Sequence, residues 1–170
     1  MAAGVVLDTS FLITLAGSAR ANHQTARRYW RHFTETGIPL FLPTIVVSEF
    51  HVRQVIPPEI VCACVVLPFN WDDAVKAAAL DFSRMERGDE SRDALKDDVK
   101  IIAQAAVKDA AFVITDDSKS LYKFAQQLAA TGQVAFRPIK LDDGFDRSFF
   151  DPSGQRDFTD QLSEEDENGN

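Results

Sequence analysis

Five short strand-like runs, most of them apolar, separated by stretches of helical composition, constrain the fold of this chain more than any other feature. They are Val5–Leu7, Leu40–Leu42, Val61–Phe69, Ala111–Thr115 and Val134–Leu141. Between them lie segments that read as helices: one capped by Asp8-Thr9-Ser10, then Ala21 to a stop at Gly37, Pro43-Thr44 to His51, Trp71 to Glu86, Asp97 to Lys108, and Ser118 to Ala130. Pro57-Pro58 is expected to end anything helical before the third run, and the charged stretch Arg87 to Lys96 reads as an exposed turn. Strands joined through helices pair in parallel and need cover on both faces. The expected fold is therefore α/β, a three-layer α/β/α sandwich around a mainly parallel central sheet. In such folds ligands bind at the carboxyl ends of the strands.

A chain of 170 residues with 45% hydrophobic content can bury one core without staples. The residues divide into a body, 1–141, and an acidic tail, 142–170, whose end from Ser163 to Asn170 reads as disordered. Ten acidic residues in the tail face only Arg147 and Arg156, so the whole formal charge of −8 resides there and the body is neutral. Metal bound to several body carboxylates would leave a basic surface, so overall acidity does not exclude a nucleic acid. Phe145, Phe149 and Phe150 give the tail apolar anchors. The two cysteines, Cys62 and Cys64, fall within one apolar run and read as buried apolar residues rather than half of a zinc site. No run is long enough for a membrane span and no leader is evident, so a cytoplasmic protein is expected.

The chemistry is carried by acids at positions that the local pattern marks as buried. Asp8 ends the first apolar run, at the carboxyl edge of the expected sheet. Glu49 shares a helical stripe with Ile45 and Val52. Asp98 heads the stripe of Ile101, Ile102 and Ala105, with Lys100 on the opposite side, and Asp116 and Asp117 follow the fourth strand directly. Each has an ordinary reading as well. Asp8 serves as a helix cap, Glu49 as an exposed residue on a misphased helix, Asp98 as a dipole partner like Asp97, and Asp116 or Asp117 as a cap for the next helix. Four such coincidences at one sheet edge are a weaker account than one divalent cation that compensates four converging carboxylates.

These residues resemble the PIN-domain nuclease family, and within it the bacterial VapC-type toxins. The matching segments are Val-Val-Leu-Asp8-Thr9-Ser10, then Thr44-Ile-Val-Val-Ser48-Glu49-Phe50, then Asp98-Val-Lys-Ile101-Ile102-Ala103-Gln-Ala105, and last Val113-Ile114-Thr115-Asp116-Asp117. Their order and spacing carry the resemblance, over about residues 4 to 141. That register selects Asp98 over Asp97 and Asp117 over Asp116, which stays as the alternative ligand. The resemblance implies metal-dependent phosphodiester hydrolysis and, in VapC-type members, a homodimer and a co-expressed antitoxin. Two features depart from the pattern: only about 15 residues separate Glu49 from the next strand, where the toxins carry a longer helical pair, and the acidic tail is extra.

The resulting expectation is an endoribonuclease in which Asp8, Glu49, Asp98 and Asp117 hold Mg²⁺ or Mn²⁺, with Thr9, Ser10 and Thr115 orienting the carboxylates. Arg27 with Arg31, Lys119 with Lys123, and Arg84, Arg87 and Arg92 are candidates for contacts to RNA phosphates. A phosphoryl-transfer or receiver fold would place a pair of acids at the first strand, where only Asp8 stands. The alternative from another class is a PIN-type scaffold or nucleic-acid-binding module without significant nuclease activity.

Overall fold

A computed structural model describes residues 4–80 and 92–150, and of residues 92–95 only the backbone. The elements run β1 (Val5–Leu7), α1 (Thr9–Ala16), α2 (His23–Thr36), β2 (Leu40–Pro43), α3 (Thr44–His51), α4 (Pro58–Ala63), β3 (Cys64–Leu67), α5 (Trp71–Ala79), α6 (Arg92–Val107), β4 (Phe112–Thr115), α7 (Leu121–Ala130) and β5 (Arg137–Lys140), followed by two 3₁₀ turns, Leu141–Asp143 and Arg147–Phe149. The five strands form one all-parallel sheet in the order β3-β2-β1-β4-β5, flanked by helices as an α/β/α sandwich.

The sequence of β1 explains its central place. Val5, Val6 and Leu7 are β-branched or large, carry no polar atom and are fully buried. A strand covered on both faces needs such a continuous apolar run, and each such side chain contributes about 1.5–3 kcal/mol on burial. Gly4, just before it, lets the chain pass close to β2: a Cβ there would run into the Phe41 ring. From β1 the chain crosses to β2 on one side, and later returns to β4 on the other. The carboxyl ends of β1 and β4 therefore flank a topological switch point, where the two connections leave a crevice.

Several boundaries differ from the sequence expectations. Pro57-Pro58 starts a helix instead of ending one: Pro58 occupies the first turn of α4, where its missing N–H is not needed. The run expected as one strand from Val61 is thus split, which leaves Cys62 exposed on α4 and Cys64 half-buried at the start of β3. Burial pushes the Cys64 thiol up to about 12. Asp73, read only as a dipole partner, closes a capping box with Asn70 and is buried. The Asn70 N–H donates to its Oδ2 at 2.8 Å. The backbone of 92–96, expected as a turn, is already α6, because Arg, Ala, Leu and Lys are strong helix formers. α7 begins at Leu121 rather than Ser118, after a turn over 118–120 that Asp117 caps. α2 stops where expected, with Gly37 at φ 67°.

The described part of the tail lies on the body. Phe145 packs edge-on to Tyr29 at 4.9 Å between centroids, and Phe150 does the same to Phe112 at 4.9 Å. The Tyr29 hydroxyl donates to the Gly144 carbonyl at 3.0 Å and accepts from the Asp146 N–H at 3.2 Å. Arg137 stacks over Phe149 at 3.9 Å. The expected disorder of Ser163 to Asn170, and Arg84 and Arg87, lie outside the described residues, as does the side chain of Arg92.

Candidate active site

The acids reach the crevice from four elements, and a hydroxyl or a backbone N–H meets each. Asp8 follows β1 and is the N-cap of α1, so strand geometry delivers its side chain to the sheet edge and helix geometry orients it. Its Oδ2 accepts from Ser10 Oγ at 2.5 Å, from Thr115 Oγ1 at 2.8 Å and from the Ser10 N–H at 3.3 Å. Glu49, on α3, accepts from Thr9 Oγ1. Asp98, on α6, accepts from Ser120 Oγ. Asp117 follows β4, and its Oδ1 accepts the N–H groups of Lys119 at 2.9 Å and Ser120 at 3.0 Å.

Thr9, Ser10 and Thr115, the hydroxyls singled out in the sequence, each donate to one of these acids. Thr115 is fully buried and joins both strand ends, donating to Asp8 while accepting from the Asp117 N–H at 2.9 Å. Ser120 belongs in the same group and was missed. Its signal was present, a hydroxyl three residues after Asp117 at the head of α7, but nothing local says that it faces α6, 22 residues earlier.

Electrostatics shows the acids acting on one another. Burial is the main reason the Asp98 carboxyl stands at about 8. The negative charges of Asp8, Asp117 and Glu49 raise it further, against the lowering effect of the Ser120 hydrogen bond. Burial raises Asp8 too, opposed by Ser10 and Thr115. Glu49 is raised by burial, then by Asp8 and Asp97, with Thr9 and Lys100 opposing. Like charges brought together out of water favour the protonated form.

Two details of the expected phasing are corrected. The buried positions of α3 are Val46 and Phe50, and Val52 is 83% exposed beyond the helix end, so Glu49 sits on the flank of the buried stripe and is half-buried against Thr9. Lys100 is not turned away from the site. It pairs with Asp97 at 2.8 Å, and both residues act electrostatically on Glu49.

Asp116 and Asp117, adjacent in sequence, point to different partners. Asp116 accepts from Thr14 Oγ1 at 2.6 Å and from Asn22 Nδ2 at 2.7 Å, and Asn22 also donates to Asp142 at 2.8 Å. Asp117 is the one that acts electrostatically on Asp98. Of the basic residues singled out in the sequence, Lys119 lines a cleft with Asp117, whereas Arg27 and Arg31 are exposed along α2.

The donor set is chemically that of a hard divalent cation: carboxylate oxygens and hydroxyls. Burial raises Asp98 most, and the repulsion from Asp8, Asp117 and Glu49 that adds to it is what a bound cation would relieve. No three His, Cys, Asp or Glu side chains among the described residues are gathered into a ready clasp.

No family model matches the sequence, and no curated protein is significantly similar to it. Solved structures are. The chain matches VapC20 of Mycobacterium tuberculosis, described as a toxin that cleaves the sarcin–ricin loop, with a TM-score of 0.53 and 20% identity over 79% of this chain and 100% of that one. It matches a structure of VapBC2 from Rickettsia felis bound to a DNA fragment from their promoter, with a TM-score of 0.53 and 9% identity over 80% and 97% of the two chains. A third match is DNA-bound VapBC from Salmonella typhimurium, with a TM-score of 0.50 and 14% identity over 82% and 98%. Full coverage of the neighbours with a five-stranded parallel sheet at its centre gives this chain the fold of the VapC structures, a PIN-like α/β/α sandwich.

Proposed function

We propose that the chain is a metal-dependent endoribonuclease that hydrolyses RNA phosphodiester bonds, the toxin of a toxin–antitoxin pair. Residues 1–141 form the nuclease domain, and residues 142–170 are an acidic appendage. The observation that carries the reading is that Asp8, Glu49, Asp98 and Asp117 come from four elements to the switch point of the sheet, where burial, and then the charges of the other three acids, hold Asp98 at about 8. Like-charged acids held near one another and partly out of water cost stability, so their presence calls for a function.

The four acids would hold Mg²⁺ or Mn²⁺, with Asp116 kept out of the set by Thr14 and Asn22. Bound there, the cation would neutralise charge on the attacked phosphodiester and make water a better nucleophile at neutral pH. The chain's own residues supply the rest. Thr9, Ser10, Thr115 and Ser120 fix the carboxylates through hydrogen bonds, and a hydroxyl can keep doing so when the acid is ionised. Asp98 holds a proton near neutral pH in the metal-free protein and must release it for the full anionic set to form.

A protein partner is supported by the apolar surface near the β3 edge. Val65 and Val66 on the edge strand β3 and Trp71 and Val75 on α5 are all at least 42% exposed. This surface suits an antitoxin or a second copy of the chain. Among the described residues no helix is long and apolar enough to cross a membrane.

The second reading, a nucleic-acid-binding module without nuclease activity, draws on the absence of a ready clasp among the described residues. One experiment separates the two. Single-stranded RNA is incubated with purified wild-type protein and Asp8→Asn protein in Mg²⁺, in Mn²⁺ and in EDTA. Cleavage by wild type alone, abolished by EDTA, supports the nuclease. RNA binding without cleavage in either metal supports the module.

A further inference from the structure

The two turns that leave the carboxyl ends of the central strands do more than bring acids together. A cleft of about 310 Å³ opens between the α1–α2 turn and the turn after β4, and Asp117 lies in its wall together with Ser10, Thr14, Asp116, Arg20 and Lys119. Arg20 and Lys119 come from opposite sides of this cleft. Both are exposed, and neither has an ion-pair partner among the described residues, although two aspartates line the same cleft.

Backbone geometry, not an anion, places Arg20. Its N–H donates to the Gly17 carbonyl at 2.9 Å, and its own carbonyl accepts from the His23 N–H at 3.1 Å, so the turn is closed on both sides of it. Its aliphatic stem lies over Gly17: a Cβ on Gly17 would meet Arg20 Cγ at 3.1 Å and the Ile13 carbonyl at 3.0 Å. Asp116 then fastens the whole turn to the sheet. One carboxylate oxygen takes Thr14 at 2.6 Å, near the end of α1, and the other takes Asn22 at 2.7 Å, just before α2. These two bonds bracket residues 15–21 and anchor them beside the end of β4.

We propose that this cleft grips the RNA backbone next to the scissile phosphate, with Arg20 and Lys119 as the phosphate-binding residues and Asp116 as the positioning residue for Arg20. The proposal rests on the nuclease reading of the adjacent acids. An arginine can bind a phosphodiester through two parallel N–H donors, and a lysine adds a mobile point charge on the other side. The charges within the cleft balance until a cation compensates Asp117, after which the cleft is net positive and suits a polyanion.

The test measures binding separately from cleavage. A labelled single-stranded phosphorothioate RNA oligonucleotide is titrated with wild-type, Arg20→Ala, Lys119→Ala and doubly substituted protein in Mn²⁺ across a salt series, and steady-state cleavage of ordinary RNA is measured alongside. Each substitution should weaken binding about tenfold at low salt and reduce the slope of log K against log salt by about 0.7, the value for one lost contact to a single strand. KM should rise about tenfold while kcat changes by less than about threefold. Lys108→Ala, an exposed cation just after α6 and outside the cleft, should match wild type.

Asp116→Ala should raise KM in wild type but add nothing to a protein that already carries Arg20→Ala, a coupling that a purely structural role would not produce. Unchanged affinity and salt slope in the double variant would overturn the cleft assignment even if wild type cleaves RNA. Weakened binding in that variant while wild type cleaves nothing would leave the cleft standing and overturn the nuclease reading. Failure of wild type to bind RNA at all would overturn the cleft.

Discussion

Replacing Asp98 by asparagine should stabilise the metal-free protein, and by an amount that depends on pH. The Asp98 carboxyl stands at about 8 in the fold against 3.8 for an ordinary aspartate, because burial and then the charges of Asp8, Asp117 and Glu49 disfavour its ionised form. Between those two values the folded state keeps a proton that the unfolded chain has released. Stability therefore falls as pH rises through this window, and levels off above the folded value. Each pH unit inside the window is worth about 1.4 kcal/mol, so moving from about pH 4.5 to pH 7.5 carries a ceiling of roughly 4 kcal/mol. Asp98 is partly open to water, and relaxation around it reduces that figure to about 2 kcal/mol. The asparagine amide does not titrate, and its carbonyl oxygen can still accept from Ser120 Oγ. In a protein of this size about 2 kcal/mol corresponds to a rise in Tm of roughly 4–8 °C. Thermal unfolding in EDTA should show the variant that much more stable near pH 7.5 and almost level with wild type near pH 4.5. Added Mn²⁺ should raise the Tm of wild type and leave the variant nearly unmoved. A variant less stable than wild type at pH 7.5, or an offset that is the same at both pH values, would refute the electrostatic reasoning.

Asp117→Ala should abolish RNA cleavage. Asp116→Ala should leave kcat within a few fold while lowering Tm, because it removes two charge-assisted hydrogen bonds worth about 1.5–3 kcal/mol each; the opposite pattern in a cleavage assay would exchange their roles. Metal binding must displace the proton on Asp98, so Mn²⁺ affinity measured by calorimetry should weaken by up to about tenfold for each pH unit below 8, and a pH-independent affinity would contradict that coupling. Phe150→Ala should cost about 2 kcal/mol, since its ring meets Phe33 at 5.3 Å and Phe112 at 4.9 Å, and a chemical denaturation midpoint equal to that of wild type would show that the docked segment contributes nothing.

The sequence by itself determined the architecture and most of the candidate acids. Val5–Leu7 and Phe112-Val113-Ile114 are apolar runs that suit a covered strand, and helical stretches between runs favour parallel pairing, so the layers and the sheet edge at Asp8 and Asp117 follow from local patterns. Local patterns failed where two states differ by little. Pro58 is compatible with a helix stop and with a helix start, and the choice depends on what Pro58–Ala63 packs against. Arg92–Lys96 has the charge of a turn and the propensity of a helix, and the backbone continues α6. The pairings at the site were decided only by tertiary structure. Ser120 meets Asp98 across 22 residues, Thr9 meets Glu49 across 40, and Thr115 meets Asp8 across 107. Asn22 meets Asp116 across 94. Periodicity reports which face a side chain occupies, but a hydrogen bond between distant elements depends on sheet order and helix placement to within a fraction of an ångström, and only the assembled fold sets those.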